Sequence, residues 1–241
     1  MSASTPSPGG PTARIVTGKA RVTRTEGTRG RTLFPSPDFS HWPPFEMLAE
    51  AWALGTEVPD PHPHVREEVV VYALSGSLWV YDDARQCTVV PPGSAAGLTA
   101  VQRRVHDVNP KPGERAHWFA LVLHLSPDIP ELRLPFQVAA AVSVDRSRSG
   151  LRELRVVGDQ GPIRSTLGLE MRHLTFEEAT EARVPVDERR AVVVYVISGR
   201  ARVADRSLTS GGGFLGEGMR DLSISGGRAT RLIWASVPRP G

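Results

Sequence analysis

The chain has one cysteine, two lysines, no long apolar run and almost no helical periodicity in its 241 residues. Each shortage excludes something. Cys87 alone can form neither an intramolecular disulfide nor a thiolate zinc site. The longest apolar stretches, such as Val69–Leu74 and Ala191–Ile197, have strand length and fall far short of the ~20 residues that a membrane-spanning helix needs. Met1–Arg14 carries no apolar core after its start and does not read as a secretory leader. These features favour a cytoplasmic protein with no membrane partner. Lys19 and Lys111 are the only lysines among 29 basic residues, and the net charge is only +3. The arginines are scattered singly or in pairs, such as Arg103-Arg104 and Arg189-Arg190, so no direct nucleic-acid partner is expected. Arginine without lysine, beside abundant Ala, Gly and Pro, suggests a GC-rich bacterial source.

What the chain does contain is short β-prone runs separated by Gly, Pro, Asp and Ser. Val69–Leu74, Ser77–Tyr81, Thr88–Val90, Trp118–Leu125, Leu167–Leu174, Ala191–Ile197, Ala201–Ala204 and Arg231–Val237 have strand length and β-branched or aromatic content. Phe45–Trp52 reads equally well as helix or strand. Many short strands with regular turn signals predict a sandwich or barrel. Residues 1–13 begin with a Ser/Pro/Gly/Thr-rich stretch that is expected to form a disordered tail.

The chain also repeats itself. Val70-Val71-Tyr72-Ala73-Leu74-Ser75-Gly76 matches Val193-Val194-Tyr195-Val196-Ile197-Ser198-Gly199 at a constant offset of 123. The match runs on into Ser77–Val80 and Arg200–Val203. Two such strand–turn–strand units half a chain apart argue for a duplicated all-β unit. The expected domains are residues 14–137 and 138–241, joined near Pro135–Gly150.

Histidines number seven. His62 and His64 lie two apart in a Pro-His-Pro-His string, so on an extended strand both imidazoles share one face. Glu68 lies four beyond His64 and a regular strand would keep it there too. His106 follows at the end of a later run. Three imidazoles, with or without a carboxylate, suit Fe(II), Mn, Ni, Cu or Zn. Adding 123 to His62, His64, Glu68 and His106 gives Pro185, Asp187, Ala191 and Ala229, the last on the assumption of no gap. One metal per chain, in the first unit, is therefore expected. Trp52, Trp79, Trp118 and Trp234 are expected to fill barrel interiors, with Trp42 over one end. Cys87 reads as a small apolar filler. His117 and His124 fall on opposite faces of one strand, so at most one faces the metal unit's interior. His41 and His173 carry no usable pattern.

His62–Gly76 resembles the HPHRGFETVTYLLEG motif of the pirin family, within the cupin superfamily. Pro92–His106 matches a second pirin stretch in length and keeps Pro92-Gly93, Thr99-Ala100 and Val105-His106. The resemblance implies an all-β chain of two tandem cupin-type barrels, a bicupin. It implies one mononuclear metal, iron first with Mn, Ni, Cu or Zn as alternatives, in the N-terminal barrel on three histidines and a glutamate. Some family members look like quercetin 2,3-dioxygenases acting on a small molecule with O₂; others look like redox-responsive regulators acting through a protein partner. The family histidines carry over to His62, His64 and His106. The family glutamate lies two residues after the third histidine, where this chain has Val108. A three-histidine site and one completed by Glu68 stand level as expectations. Asp107 comes after them, because only a bulge would bring it to the metal face. Glu68 and Asp107 are also the candidates for the catalytic base that Val108 cannot supply.

Overall fold

The computed structural model describes residues 14–25, 28–39, 42–55, 61–129, 136–144 and 150–239. The expected N-terminal tail and His41 lie outside these residues. The described chain is all β, and none of its residues forms a helix long and apolar enough to cross a membrane.

The first strands are β1 (Arg14–Lys19), β2 (Arg21–Thr25), β3 (Thr28–Phe34) and β4 (Phe45–Leu54), so the ambiguous Phe45–Trp52 run is a strand. Next come β5 (His62–His64), β6 (Glu67–Ser75), β7 (Leu78–Tyr81) and β8 (Cys87–Val90). They are followed by β9 (Ser94–Ala100), β10 (Arg104–Pro110), β11 (Arg115–His124) and β12 (Gln137–Ala140). The second half runs through β13 (Val142–Val144), β14 (Leu151–Val157), β15 (Glu170–Phe176), β16 (Thr180–Pro185) and β17 (Arg190–Ser198). It ends with β18 (Arg200–Val203), β19 (Arg206–Thr209), β20 (Gly212–Glu217), β21 (Asp221–Gly226) and β22 (Arg231–Pro238).

These strands make two copies of one topology. The first lobe has a seven-stranded sheet in the order β12-β9-β6-β11-β4-β3-β2 and a four-stranded sheet β5-β10-β7-β8. The second has β1-β20-β17-β22-β15-β14-β13 and β16-β21-β18-β19. Each lobe is a cupin-type pair of sheets, and the ladders among the described residues stay open rather than closing into continuous barrels. The expected boundary after residue 137 does not follow the sheets. β12 belongs to the first lobe, while β1, from the far N-terminus, completes the edge of the second.

The repeated strands are apolar at almost every position because both of their faces are buried. On β6, Val69, Val71 and Ala73 enter the first lobe's own core, while Val70 and Tyr72 face the other lobe. On β17, Val192, Val194 and Val196 enter the second lobe's core, while Val193 and Tyr195 face back. The larger sheets thus pack against each other, and Phe119, Leu121, Ile233 and Ala235 join this shared core. The Ser-Gly turns after β6 and β17 need glycine. Gly76 has φ +69, and a Cβ there would lie 2.2 Å from the Arg115 carbonyl oxygen; Gly199 has φ +84.

Strand parity corrects several expectations. Trp234 is in the second core and Trp118 packs against the first, as expected. Trp42 is buried in the core between the lobes rather than over a barrel end. Trp79 alternates with the core residues Leu78 and Val80, so it faces away from the lobe interior and meets Tyr81 edge-on. Cys87 is exposed and fills nothing.

Candidate metal centre

His62 and His64 come from β5 and His106 from β10, paired antiparallel with His106 opposite His62. The i, i+2 spacing places both β5 imidazoles beside the third. Their Nε2 atoms converge: His64 and His106 are 2.9 Å apart, and His106 and His62 are 3.0 Å apart. Two nitrogens each about 2.1 Å from a shared cation, at right angles to one another, would lie about 3.0 Å apart. Three neutral imidazole lone pairs repel at such separations unless a proton or a cation lies among them. The donor set therefore fits one divalent metal. His64 and His106 are buried and His62 is exposed, so the centre opens toward solvent on the His62 side. Burial first, and then the neighbouring His64 and His62, push the His106 pKa down to about 3. The imidazole accordingly presents a free lone pair at neutral pH.

No carboxylate joins this group among the described residues. Glu68 is buried at the lobe seam, where its Oε2 accepts the Thr166 amide at 2.7 Å. Its expected place beside His64 is thus not observed. The cause is Arg66, which has φ +55 and separates β5 from β6. That left-handed residue breaks the two-residue alternation, so counting from His64 puts Glu68 on the wrong face. The same break brings Glu67 onto the Nδ1 of His64 in a close contact. Sequence parity missed Glu67. A carboxylate on Nδ1 fixes which ring nitrogen carries the proton and leaves Nε2 for a metal. Asp107 also stays away from the group; its Oδ2 accepts from the Asn109 side-chain amide at 2.8 Å. Val108 packs against the first lobe's core.

The second lobe has no such group among the described residues. Val108 pairs with Val80 on β7, and Ile224 pairs with the equivalent Val203 on β18. Counting back two residues, Leu222 rather than Ala229 stands in the place of His106. Leu222 is fully buried in an apolar core.

The remaining histidines lie elsewhere. Tyr72 Oη is 3.1 Å from His173 Nδ1, across the seam. His117 Nε2 is 2.7 Å from Glu50 Oε1, and His124 is exposed beside Glu46. Neither β11 histidine faces the metal group.

Solved structures share this architecture over nearly the whole chain. GK1651 of Geobacillus kaustophilus superposes with a TM-score of 0.83 at 19% identity, over 94% of this chain and 96% of that one. The fold is that of a pirin-type bicupin. A quercetin 2,3-dioxygenase of Acinetobacter baumannii gives 0.81 at 18% identity, over 93% and 79%. The pirin YhhW of Escherichia coli in complex with nickel(II) gives 0.76 at 14%, over 94% and 100%. No family model and no curated protein matches the sequence. The histidine group of this chain lies in the first lobe of that fold.

Proposed function

We propose that the chain holds one divalent metal, iron in the cell, on His62, His64 and His106, and acts on a phenolic or enol-type small molecule with O₂. The observation that carries this reading is the convergence of the His62 and His64 Nε2 atoms on that of His106, at 3.0 and 2.9 Å across the β5–β10 pair. The likeness of the fold to a quercetin dioxygenase and to a nickel-bound pirin supports it. A metal held there supplies Lewis acidity toward a substrate hydroxyl and, if redox-active, a path for electrons to O₂. The chain's own residues divide the remaining work. Glu67 orients His64, the buried His106 keeps its lone pair available, and the exposed His62 side admits a ligand.

A general base is the missing part. Flavonol cleavage needs the substrate hydroxyl to lose its proton, and a carboxylate at the metal is suited to take it. Val108, Glu68 and Asp107 leave that place without a carboxylate. Quercetinase activity is therefore expected to be weak, with turnover directed to substrates that ionise more easily. Iron-loaded protein should bind one metal per chain by elemental analysis and consume little O₂ with quercetin. Rapid O₂ uptake with quercetin, unchanged in Glu68→Ala and Asp107→Ala, would overturn this reading.

The absent carboxylate also favours a second reading, a metal- or redox-responsive regulator in the cytoplasm that acts through a protein partner. Metal binding without turnover on a panel of phenols and enols would select it.

A further inference from the structure

The strand registers place one row of side chains across five strands of the first lobe's large sheet. Arg24 stands opposite Arg29, Arg29 opposite Trp52, Trp52 opposite His117, and His117 opposite Ser75. The next row inward, containing Glu50 and Tyr72, is covered by the second lobe. The outer row is where that cover ends. A cavity of about 510 Å³ opens there, lined by this row together with Arg115 and Leu54.

The row breaks a local rule. Like charges directly opposite one another on paired strands destabilise a sheet, yet Arg24 faces Arg29 across the β2–β3 pair. Among the described residues, no carboxylate pairs with Arg24, Arg29 or Arg115. The rest of the row is rigidly held. The Arg29 guanidinium lies over the Trp52 ring at 5.5 Å, and the His117 ring stacks on Trp52 with centroids 4.5 Å apart. His117 is fixed in turn by Glu50, which is fully buried and also accepts a hydrogen bond from Tyr195 of the other lobe at 2.6 Å. Arg31 next to it is already committed to Glu50 and Ser210, so among the described residues the unpaired positive charge belongs to the outer three arginines. Guanidiniums that line one cavity beside a held aromatic pair can recognise carboxylate or phosphate by paired hydrogen bonds. The cavity volume lies in the range of small-ligand sites, and Leu54 offers apolar surface to a carbon skeleton.

We propose that this cavity is a binding site for a small organic polyanion, a molecule with two or more carboxylate or phosphate groups. The site is separate from the metal centre. Glu67, on His64, and Ser75, in this row, are the two ends of β6, about 26 Å apart along an extended strand of that length.

The test is calorimetric titration of the full chain at low salt with two probes, benzene-1,3,5-tricarboxylate and inorganic pyrophosphate, and with neutral benzamide as a control. The expected result is one site per chain with a Kd below about 1 mM for at least one anion and no binding of benzamide. Tighter binding of the tricarboxylate assigns the natural ligand to the carboxylates, and tighter binding of pyrophosphate assigns it to the phosphates. Arg29→Ala/Arg115→Ala should weaken binding about tenfold or more. The remote pair Arg202→Ala/Arg228→Ala should leave it unchanged. Arg29→Ala should also shrink the rise in melting temperature that the anion produces while the free variant stays folded, a combination that loss of folding cannot give. The proposal is overturned if neither anion binds, if the double variant binds as well as the parent, or if the remote pair weakens binding equally.

Discussion

At the scale of single residues, the two adjacent carboxylates that open β6 divide into one that serves the metal group and one that serves the fold. Glu67 holds the Nδ1 of His64, and removing such a partner from a metal-binding histidine lowers metal affinity by about 10–100-fold. Glu67→Ala is therefore expected to bind metal more weakly by about that factor while keeping its far-ultraviolet spectrum, checked by titration against a chromophoric chelator. Glu68 is the converse case. Burial outweighs the hydrogen bonds it receives from Ser165, Thr166 and Leu167 and raises its pKa above the ordinary carboxylate value of 4.5. A group whose folded-state pKa is raised contributes its stability below the unfolded value and loses it as pH rises through the folded one. The unfolding free energy of the parent relative to Glu68→Gln should therefore fall as pH climbs from about 4 toward neutrality. Denaturant titrations at both ends of that window check the sign. His173 works in the opposite direction. Burial, followed by the nearby Arg231 and Arg152, lowers its pKa to about 3. It stays neutral when folded, so it withdraws stability as pH falls from its unfolded value of 6.5 toward 3.

At the scale of elements, local spacing explains both what the sequence reveals and what it hides. The His-Pro-His pair is legible because two residues apart on β5 means one face, whatever the rest of the chain does. The hairpin repeat is legible because its Ser-Gly turn has a steric reason: Gly76 must take a left-handed φ against the Arg115 carbonyl. Gly76→Ala should destabilise the protein by about 1–3 kcal/mol, measured by chemical denaturation. Glu67 is illegible for an equally local reason. Alternation is reliable only within one strand, and Arg66 interrupts it by adopting φ +55 between β5 and β6. Arginine tolerates that conformation here while its guanidinium donates to the carbonyls of Leu125 and Ser126 at the end of the first lobe's β11. The second lobe's counterpart of His106 is hidden for a related reason. The 123-residue offset holds through the hairpin and is lost in the loops after it, so only strand pairing identifies Leu222 as its counterpart.

At the scale of the whole molecule, the seam between the lobes has an approximate twofold that the sequence did not disclose. Tyr72 and Tyr195 are repeat partners. Each crosses to the position on the other lobe that the same offset relates: Tyr72 to His173, and Tyr195 to Glu50. No pattern marks Glu50 or His173 in the sequence, because the significance of each depends on a strand more than a hundred residues away. Tyr195→Phe leaves the buried Glu50 carboxylate with fewer donors and should cost about 1–3 kcal/mol. With one apolar core shared by both large sheets, scanning calorimetry of the parent should show one cooperative transition instead of two. The placement of β1 carries the longest reach. Arg14 pairs with Glu217, so a ribosome makes β1 about 200 residues before it makes the strand that β1 pairs with. At ordinary elongation rates that is a wait of about 10–40 s, during which the first lobe can fold and β1 stays an unpaired strand on the nascent chain. Synthesis in the cell thus imposes an order on this molecule that its finished symmetry conceals, and β1 is the segment a chaperone would be expected to shield.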